Sequence, residues 1–254
     1  MKIGYPNHPR KDVLEEIKWI GENNFDFIDF YMEEDKCVPG KFDVEKAKQL
    51  LKKYNLDIVG HMAYYLAIGS PSKIIRDSAI KQAEEYFKVF KKLGVKYATI
   101  HANWAPGFFT LNEAVNFQID SLKKLVQLAK KYSLKIMYEP IDTEKDTAEI
   151  LSKILNSVKG LYFHLDIGHA NLHGRKPEEF IKRFHKKLVH IHAHDNNGRE
   201  DQHLPIGAGR IDWENLIKTL KKYYNGTVTL EVFSKDRDYV LASRDKLKRL
   251  LKVA

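Results

Sequence analysis

Short β-rich runs alternate with longer amphipathic runs from one end of the chain to the other, and this alternation limits the fold more than any other feature. The short runs read KIGY, FDFIDFY, LDIVGH, YATIH, LKIMYE, LYFHLD, LVHIHAHD and TVTLEVF. Between them apolar residues recur at helical spacing, as in Val13, Ile17 and Ile20, or Leu122, Leu125, Val126 and Ala129. Leu216, Ile217 and Leu220, and then Leu247, Leu250 and Leu251, repeat the pattern. Strand followed by helix, eight times, is the pattern of parallel βαβ units. The 254 residues match the roughly 250 that a closed (β/α)₈ barrel needs. The sequence therefore predicts an α/β fold, a single barrel domain over residues 1–254, rather than an open sheet. No low-complexity linker or break in composition divides it. Gly94 and Gly160 each follow a helical pattern and precede a strand, where a left-handed cap ends a helix.

The chemistry lies at the strand ends. His61 ends strand three, His101 strand four, Glu139 strand five and Asp166 strand six; strand seven carries His192 and strand eight Glu231. In a parallel barrel these ends meet on one face, where barrel active sites lie. A lone histidine at a strand end is usually a polar residue near solvent. Six His, Asp and Glu residues in register are different, because they would repel or stay unpaired in one mouth unless a cation held them. Mixed imidazole and carboxylate ligands suit zinc, manganese or a similar divalent metal. His190, His192 and His194 share one strand face by alternation. His190 lies deeper and reads as a buried, hydrogen-bonded barrel histidine, whereas His194 is open between ligand and structural residue. The longest irregular stretch, Asn196 to Arg210, would be the loop after strand seven. It carries Asp201 and His203, two residues apart, and long loops in compact domains are usually functional.

Bulk composition excludes several classes. A single cysteine, Cys37, allows no internal disulfide framework and suits a reducing compartment. No apolar run could span a bilayer as a helix, and MKIGYPNHPRKD lacks the apolar core of a signal peptide, so the expectation is a soluble cytoplasmic protein. The formal charge of +9 fits either a polyanion partner or a Lys-rich solvated surface. Lys123, Lys124, Lys130 and Lys131 sit on helical stretches, which favours the solvated surface. Abundant Lys and Glu with few Cys and Met also resemble the composition of thermophile proteins.

The segments HAHDNNGREDQHLPIGAGRIDW, LDIGHAN, GHMAYYLAIGS and TLEVF, in this order of strands, resemble the xylose isomerase-like barrel group. That group holds sugar isomerases and epimerases together with apurinic endonucleases of the endonuclease IV type. The resemblance covers nearly the whole chain. It implies a central metal held by Glu139, Asp166, His192 and Glu231. The endonuclease branch implies a second position at His61 and His101 with Glu139 bridging, and a third at His169, Asp201 and His203. One cation, and up to three, is the expectation.

Departures from the endonuclease pattern bear on the branch. Asp201-Gln202-His203 stands where that pattern has Asp-Arg-His, and the loss of a cation at Gln202 removes a DNA contact. His192-Ala193-His194-Asp195-Asn196 replaces His-x-Asn-Asp-Ser. Ile167 and Gly168 replace a threonine and a cysteine, and EPIDTEKDTAE replaces a Gly-rich stretch. Tyr64 stands where the endonucleases place a DNA-penetrating tyrosine, although packing of Tyr64 and Tyr65 at the barrel rim accounts for it equally well. After strand four, HANWAPGFFT carries Trp104, Phe108 and Phe109, which would wall or stack on a small substrate, pack on a neighbouring subunit or pack between loop and helix.

The leading expectation is a sugar or sugar-phosphate isomerase or epimerase. Glu139 and Glu231 would move the proton beside a metal-chelated carbonyl. His61, His101, His169, Arg199 and Trp104 are the candidates for substrate contact, with His169 and Arg199 facing hydroxyls or a phosphate. The first alternative is a metal-dependent endonuclease at abasic sites in DNA. The second is a non-catalytic, metal-stabilised binding protein. A homo-oligomer is left open.

Overall fold

The eight β-rich runs become eight parallel strands in a computed structural model of the protein, which describes residues 1–253. They are β1 (Lys2–Pro6), β2 (Phe27–Met32), β3 (Asp57–Met62), β4 (Tyr97–His101), β5 (Lys135–Glu139), β6 (Tyr162–Asp166), β7 (Leu188–Ala193) and β8 (Thr227–Leu230). Each pairs with its successor, and β8 pairs with β1, so the sheet closes into a barrel. The helices between strands are α1 (Val13–Glu22), α2 (Val44–Lys53), α3 (Lys73–Leu93), α4 (Leu111–Lys131) and α5 (Ala148–Ser157). A short α6 (Ile167–Ala170) and α7 (Pro177–Phe184) follow β6; α8 (Trp213–Tyr223) follows β7 and α9 (Asp238–Val253) follows β8.

The apolar stripes read from the sequence face the sheet. Val13, Ile17 and Ile20 of α1 are buried, as are Leu122, Leu125, Val126 and Ala129 of α4 and Leu216, Ile217 and Leu220 of α8. Leu247 of α9 is buried, with Leu250 and Leu251 half-buried beside it. Helix starts at the mouth are capped by Asp12, Asp43, Thr110, Thr147 and Asp212, whose side chains accept otherwise unpaired backbone N–H groups. Gly94 does end α3 in the left-handed conformation, at φ 82°.

Strand alternation layers the barrel interior. Phe27, Val59 and Met137 form an apolar floor. Gly4 lets this floor close, because a Cβ there would lie 2.4 Å from the Phe27 ring. Two residues beyond Phe27, and level with Val59 and Met137 in the sheet register, the interior turns polar, with Asp29, Thr99, His164, His190 and Thr229 all buried. A further step brings His61, Glu139, Asp166, His192 and, just past β8, Glu231 to the mouth. Register aligns them: His101 is opposite Glu139, Asp166 opposite His192, and Tyr31 opposite His61. The floor thus keeps water out from below, while strand ends supply the polar groups above it.

Candidate metal centre

Nδ1 of His192 is the focus of the mouth. Glu231 Oε2 lies 3.2 Å from it, Glu139 Oε1 3.3 Å and Asp166 Oδ2 3.7 Å. On the other side of the ring, Nε2–H donates to Asp29 Oδ2 at 2.8 Å, which leaves the Nδ1 lone pair for a ligand role. Asp29 Oδ2 also accepts from Thr229 Oγ1 at 2.9 Å and from His190 Nε2 at 3.2 Å. Glu139 Oε1, Asp166 Oδ2 and His192 Nδ1 are buried with no hydrogen-bond partner. Buried polar atoms are rarely left unpaired. Three carboxylates around one imidazole nitrogen, with such atoms turned towards one another, are what a divalent cation with oxygen and nitrogen ligands would hold.

A second set extends from the first. Glu139 Oε2 lies 3.1 Å from His101 Nε2, 3.2 Å from His164 Nδ1 and 3.3 Å from His61 Nε2. A third occupies the loop after β7. Asp201 Oδ2 lies 2.8 Å from His203 Nε2 and 3.3 Å from His169 Nε2. The other ring nitrogen of each histidine donates to a backbone carbonyl: His169 Nδ1–H to Pro140 at 3.1 Å and His203 Nδ1–H to Glu231 at 3.0 Å. His194 joins this group, and the ligand atoms of His169, His194, Asp201 and His203 all lie within 4.8 Å of one another. His190 is a buried histidine bonded to Asp29 and Thr227, as expected for its depth along the strand.

Electrostatics follow from this crowding. Burial alone would raise Glu139 and Glu231, but the facing imidazoles outweigh it and hold both well below the ordinary carboxylate range. Burial would lower His192 and His169, but the carboxylates around them raise both well above the ordinary range. His203 is shifted the same way, to about 9, by Glu231 and Asp201 against its burial. His164 moves down because burial dominates there. Positive charge on the imidazoles, supplied by protons or by a cation, balances the carboxylates.

All nine strand-end and loop residues singled out in the sequence therefore meet at one mouth. Arg199 stands apart: it is exposed in the loop, with its backbone N–H on Asn197 Oδ1 at 2.8 Å. Trp104 is half-buried, and its indole N–H donates to Asp146 Oδ2 at 3.0 Å, so only its ring remains for a ligand. Phe109 packs edge-on against Phe117 of α4, a loop–helix contact, while Phe108 is 82% exposed. Tyr64 is also exposed.

Sequence reasoning missed Asp29, Tyr31 and His164. Tyr31 O–H donates to Glu231 Oε1 at 2.6 Å and orients that carboxylate. The missed signal was alternation: Asp29 and Tyr31 follow Phe27 at intervals of two, and His164 precedes Asp166 by two, so each pair shares the interior face.

Comparison with known proteins agrees with this geometry. The family model for the xylose isomerase-like TIM barrel matches residues 17–252. A protein of Methanocaldococcus jannaschii described as uncharacterised is 27% identical over 96% of this chain and 86% of its own. A probable endonuclease 4 of Aquifex aeolicus is 27% identical over 70% of each chain. Among solved structures, a D-tagatose 3-epimerase-like protein superposes with a TM-score of 0.88 at 25% identity, covering 100% of this chain and 98% of that one. The chain belongs to the xylose isomerase-like TIM barrel family.

Proposed function

We propose that this protein is a divalent-metal-dependent isomerase or epimerase of a sugar or sugar phosphate. One observation carries the reading: Glu139 and Glu231 each turn one oxygen to the same point, the Nδ1 side of His192. Each is held by its other oxygen, Glu231 by Tyr31 and Glu139 among His61, His101 and His164. Two ionised carboxylates at one locus are what proton removal and return at adjacent carbons requires. A bound divalent cation would polarise the substrate carbonyl and so acidify the neighbouring C–H.

Glu139 and Glu231 then act in turn, one as the base that removes the proton and the other, in its protonated form, as the acid that returns one. Asp166 and His192 complete the ligand set. His61 and His101 face substrate hydroxyls across Glu139, His169 and Arg199 serve hydroxyls or a phosphate, and the Trp104 ring walls the mouth. The likeness to a D-tagatose 3-epimerase-like protein over the full chain supports a sugar as substrate.

The second reading is abasic-site endonuclease activity. It is favoured by the additional histidine cluster at Asp201, by the formal charge of +9 and by the likeness to a probable endonuclease 4. Two assays separate the readings. The metal-loaded protein should exchange a carbon-bound proton with deuterated water for at least one ketose or aldose in a broad panel, and both Glu139→Gln and Glu231→Gln should abolish the exchange. Incision of a duplex carrying an abasic site, lost on chelation and in Glu231→Gln, would reverse the assignment; its binding would weaken steeply with salt.

A further inference from the structure

We propose that the rim formed by the loops after β3 and β4 is the face on which this chain pairs with a second copy of itself. The inference does not depend on which reaction the mouth carries out.

Exposed apolar side chains gather at this rim. Of the eight large ones among the described residues, six follow β3 or β4: Tyr64, Tyr65, Ile74, Ile75, Phe108 and Leu111. Ile74 is 79% exposed in the first turn of α3, where an exposed β-branched residue does not favour the helix. The two loops also lack charge in a chain that is 30% charged. Residues 63–72 and 102–110 contain no Asp, Glu, Lys or Arg. The paths from the other six strands to α1, α2, α5, α7, α8 and α9 each carry at least two.

The face is continuous and fixed from behind. Gly69 N–H donates to Asn103 Oδ1 at 3.1 Å and joins the two loops; a Cβ on Gly69 would lie 1.7 Å from the Asn103 carbonyl oxygen. Ser121 Oγ–H of α4 donates to the Ile68 carbonyl at 2.7 Å. Tyr64 N–H donates to Glu33 Oε1, and the Tyr65 hydroxyl accepts Glu34 N–H, both at 3.3 Å. Phe108 rests on Phe109 with centroids 4.5 Å apart, and Phe109 meets Phe117 edge-on, with the Arg76 guanidinium over Phe117 at 5.0 Å. A face ordered beforehand loses little side-chain freedom on association.

Charge and area point to a second copy as the occupant. At +9 each, two copies repel at a distance, so they meet best where neither brings charge to the contact. In a two-fold contact, residues near the axis meet their own counterparts, and any charge there meets its like. An uncharged rim meets that condition, and aromatic residues are enriched at the centres of interfaces. A polyanion would instead require cations, which these loops lack. A covered Phe or Tyr buries about 150–250 Å², so Tyr64, Tyr65 and Phe108, at 64, 42 and 82% exposed, offer about 300–450 Å². A standard interface takes about 800 Å² from each partner, and these rings supply about half of it before Ile74, Ile75 and Leu111 are added.

Sedimentation velocity of the full-length protein over a range of concentrations tests this without an activity assay. The wild type should sediment with the mass of a dimer. Raising the salt should hold or strengthen the association, because it screens two bodies of like charge. Phe108→Asp and Ile74→Asp each bring like charges into the contact and should weaken dimerisation by about tenfold or more. Both side chains are exposed, so neither change removes a core contact, and an acid in the first turn of α3, which has none, favours the helix. Circular dichroism checks that both variants fold. Tyr239→Asp, an exposed position after β8 on the far side of the barrel, should leave the dimer unchanged. A monomer at every concentration, a dimer that Phe108→Asp and Ile74→Asp both leave intact or that Tyr239→Asp weakens as much, or one that falls apart as salt rises would overturn the proposal. A monomeric wild type in which Phe108→Asp weakens binding of a ketose or of a DNA duplex would assign the rim to that ligand and refute it as well.

Discussion

Replacing Asp195 by alanine should unlock the loop that carries Asp201 and His203. Its carboxylate is fully buried and accepts four hydrogen bonds. Oδ1 takes Asn196 N–H at 2.9 Å and Ile211 N–H at 3.2 Å; Oδ2 takes Gly207 N–H at 2.9 Å and Trp213 Nε1–H at 2.8 Å. Two of these donors, on Asn196 and Trp213, are in buried bonds. Leaving a buried donor unsatisfied costs about 1–3 kcal/mol, so this pair alone sets a loss of about 2–6 kcal/mol. For a chain of this size a loss near 4 kcal/mol lowers Tm by about 8–16 °C. The geometry makes a sharper statement about Asp195→Asn. Each oxygen already takes two donors, so an amide nitrogen in either position points its hydrogens at two other N–H groups. Asparagine should therefore be nearly as damaging as alanine. Urea unfolding of both variants, with limited proteolysis between Asn196 and Arg210, measures the effect. If the loop opens locally, cleavage there should rise even where the global loss is smaller. A loss below about 1 kcal/mol in both variants, with the loop still protected, would refute this account of the loop.

Two further outcomes follow from the buried groups. Asp29→Ala removes the acceptor that fixes the His192 ring, and loss of such a partner should weaken the mouth's affinity for a divalent cation by about ten- to a hundredfold, read by chelator competition; affinity within twofold of wild type would show that the His192 ring is oriented without Asp29. Asp146, which accepts from Trp104 and Thr143, is raised to about 6 by its burial. A carboxyl whose folded value is raised contributes its full stability below its unfolded value near 4 and loses it as pH rises through about 6. The loss is on the order of 3 kcal/mol by pH 7.5, about 1 of it already by pH 4.5, so Asp146→Asn, which keeps an acceptor but cannot ionise, should gain on the wild type by about 2 kcal/mol between pH 4.5 and 7.5 in urea unfolding. A difference that stays flat across this range would show that Asp146 does not titrate there.

The mouth was legible because parallel closure is a strong constraint: once eight strands are read, every strand end points the same way. His61, His101, Glu139, Asp166 and His192 needed only their place in a run, and Glu231 only its place after TVTL. Asp29 was passed over because an acid inside FDFIDFY reads as an interruption of a buried strand, although its place on the Phe27–Tyr31 face marks it as interior. The partners of Asp195 could not be read at all. They lie 1 to 18 residues along the chain, in a loop without periodicity, and only the folded path brings Gly207, Ile211 and Trp213 around one carboxylate. Gly209 belongs to the same unread geometry, since a Cβ there would stand 2.3 Å from Asp195 Oδ1. Arg199 shows the opposite limit: a cation in a functional loop is easy to notice, but exposure at the loop surface is a property of the path and not of the residue.

The interior layering also explains how so many titratable groups sit in one barrel. Asp29, Glu139, Asp166, Asp201 and Glu231 lie in or at the mouth, and no Lys or Arg side chain among the described residues pairs with any of them. Their charge must be balanced from within by imidazoles. Asp29 settles one part of that balance at depth, where it holds His190 and His192 by Nε2 and is itself kept well below the ordinary carboxylate range despite burial. The remaining four carboxylates face Nδ1 of His192 or the Nε2 atoms of His61, His101, His169, His194 and His203. Among them His61, His169, His192 and His203 are raised above the ordinary imidazole range by these carboxylates, against their burial. A divalent cation bound there would therefore compete with protons for the same atoms and release them from the raised histidines. For His192 the polar middle layer fixes the side of the ring away from the mouth whichever occupant Nδ1 has, because Asp29 accepts from its Nε2 and is itself held by Thr229 and His190.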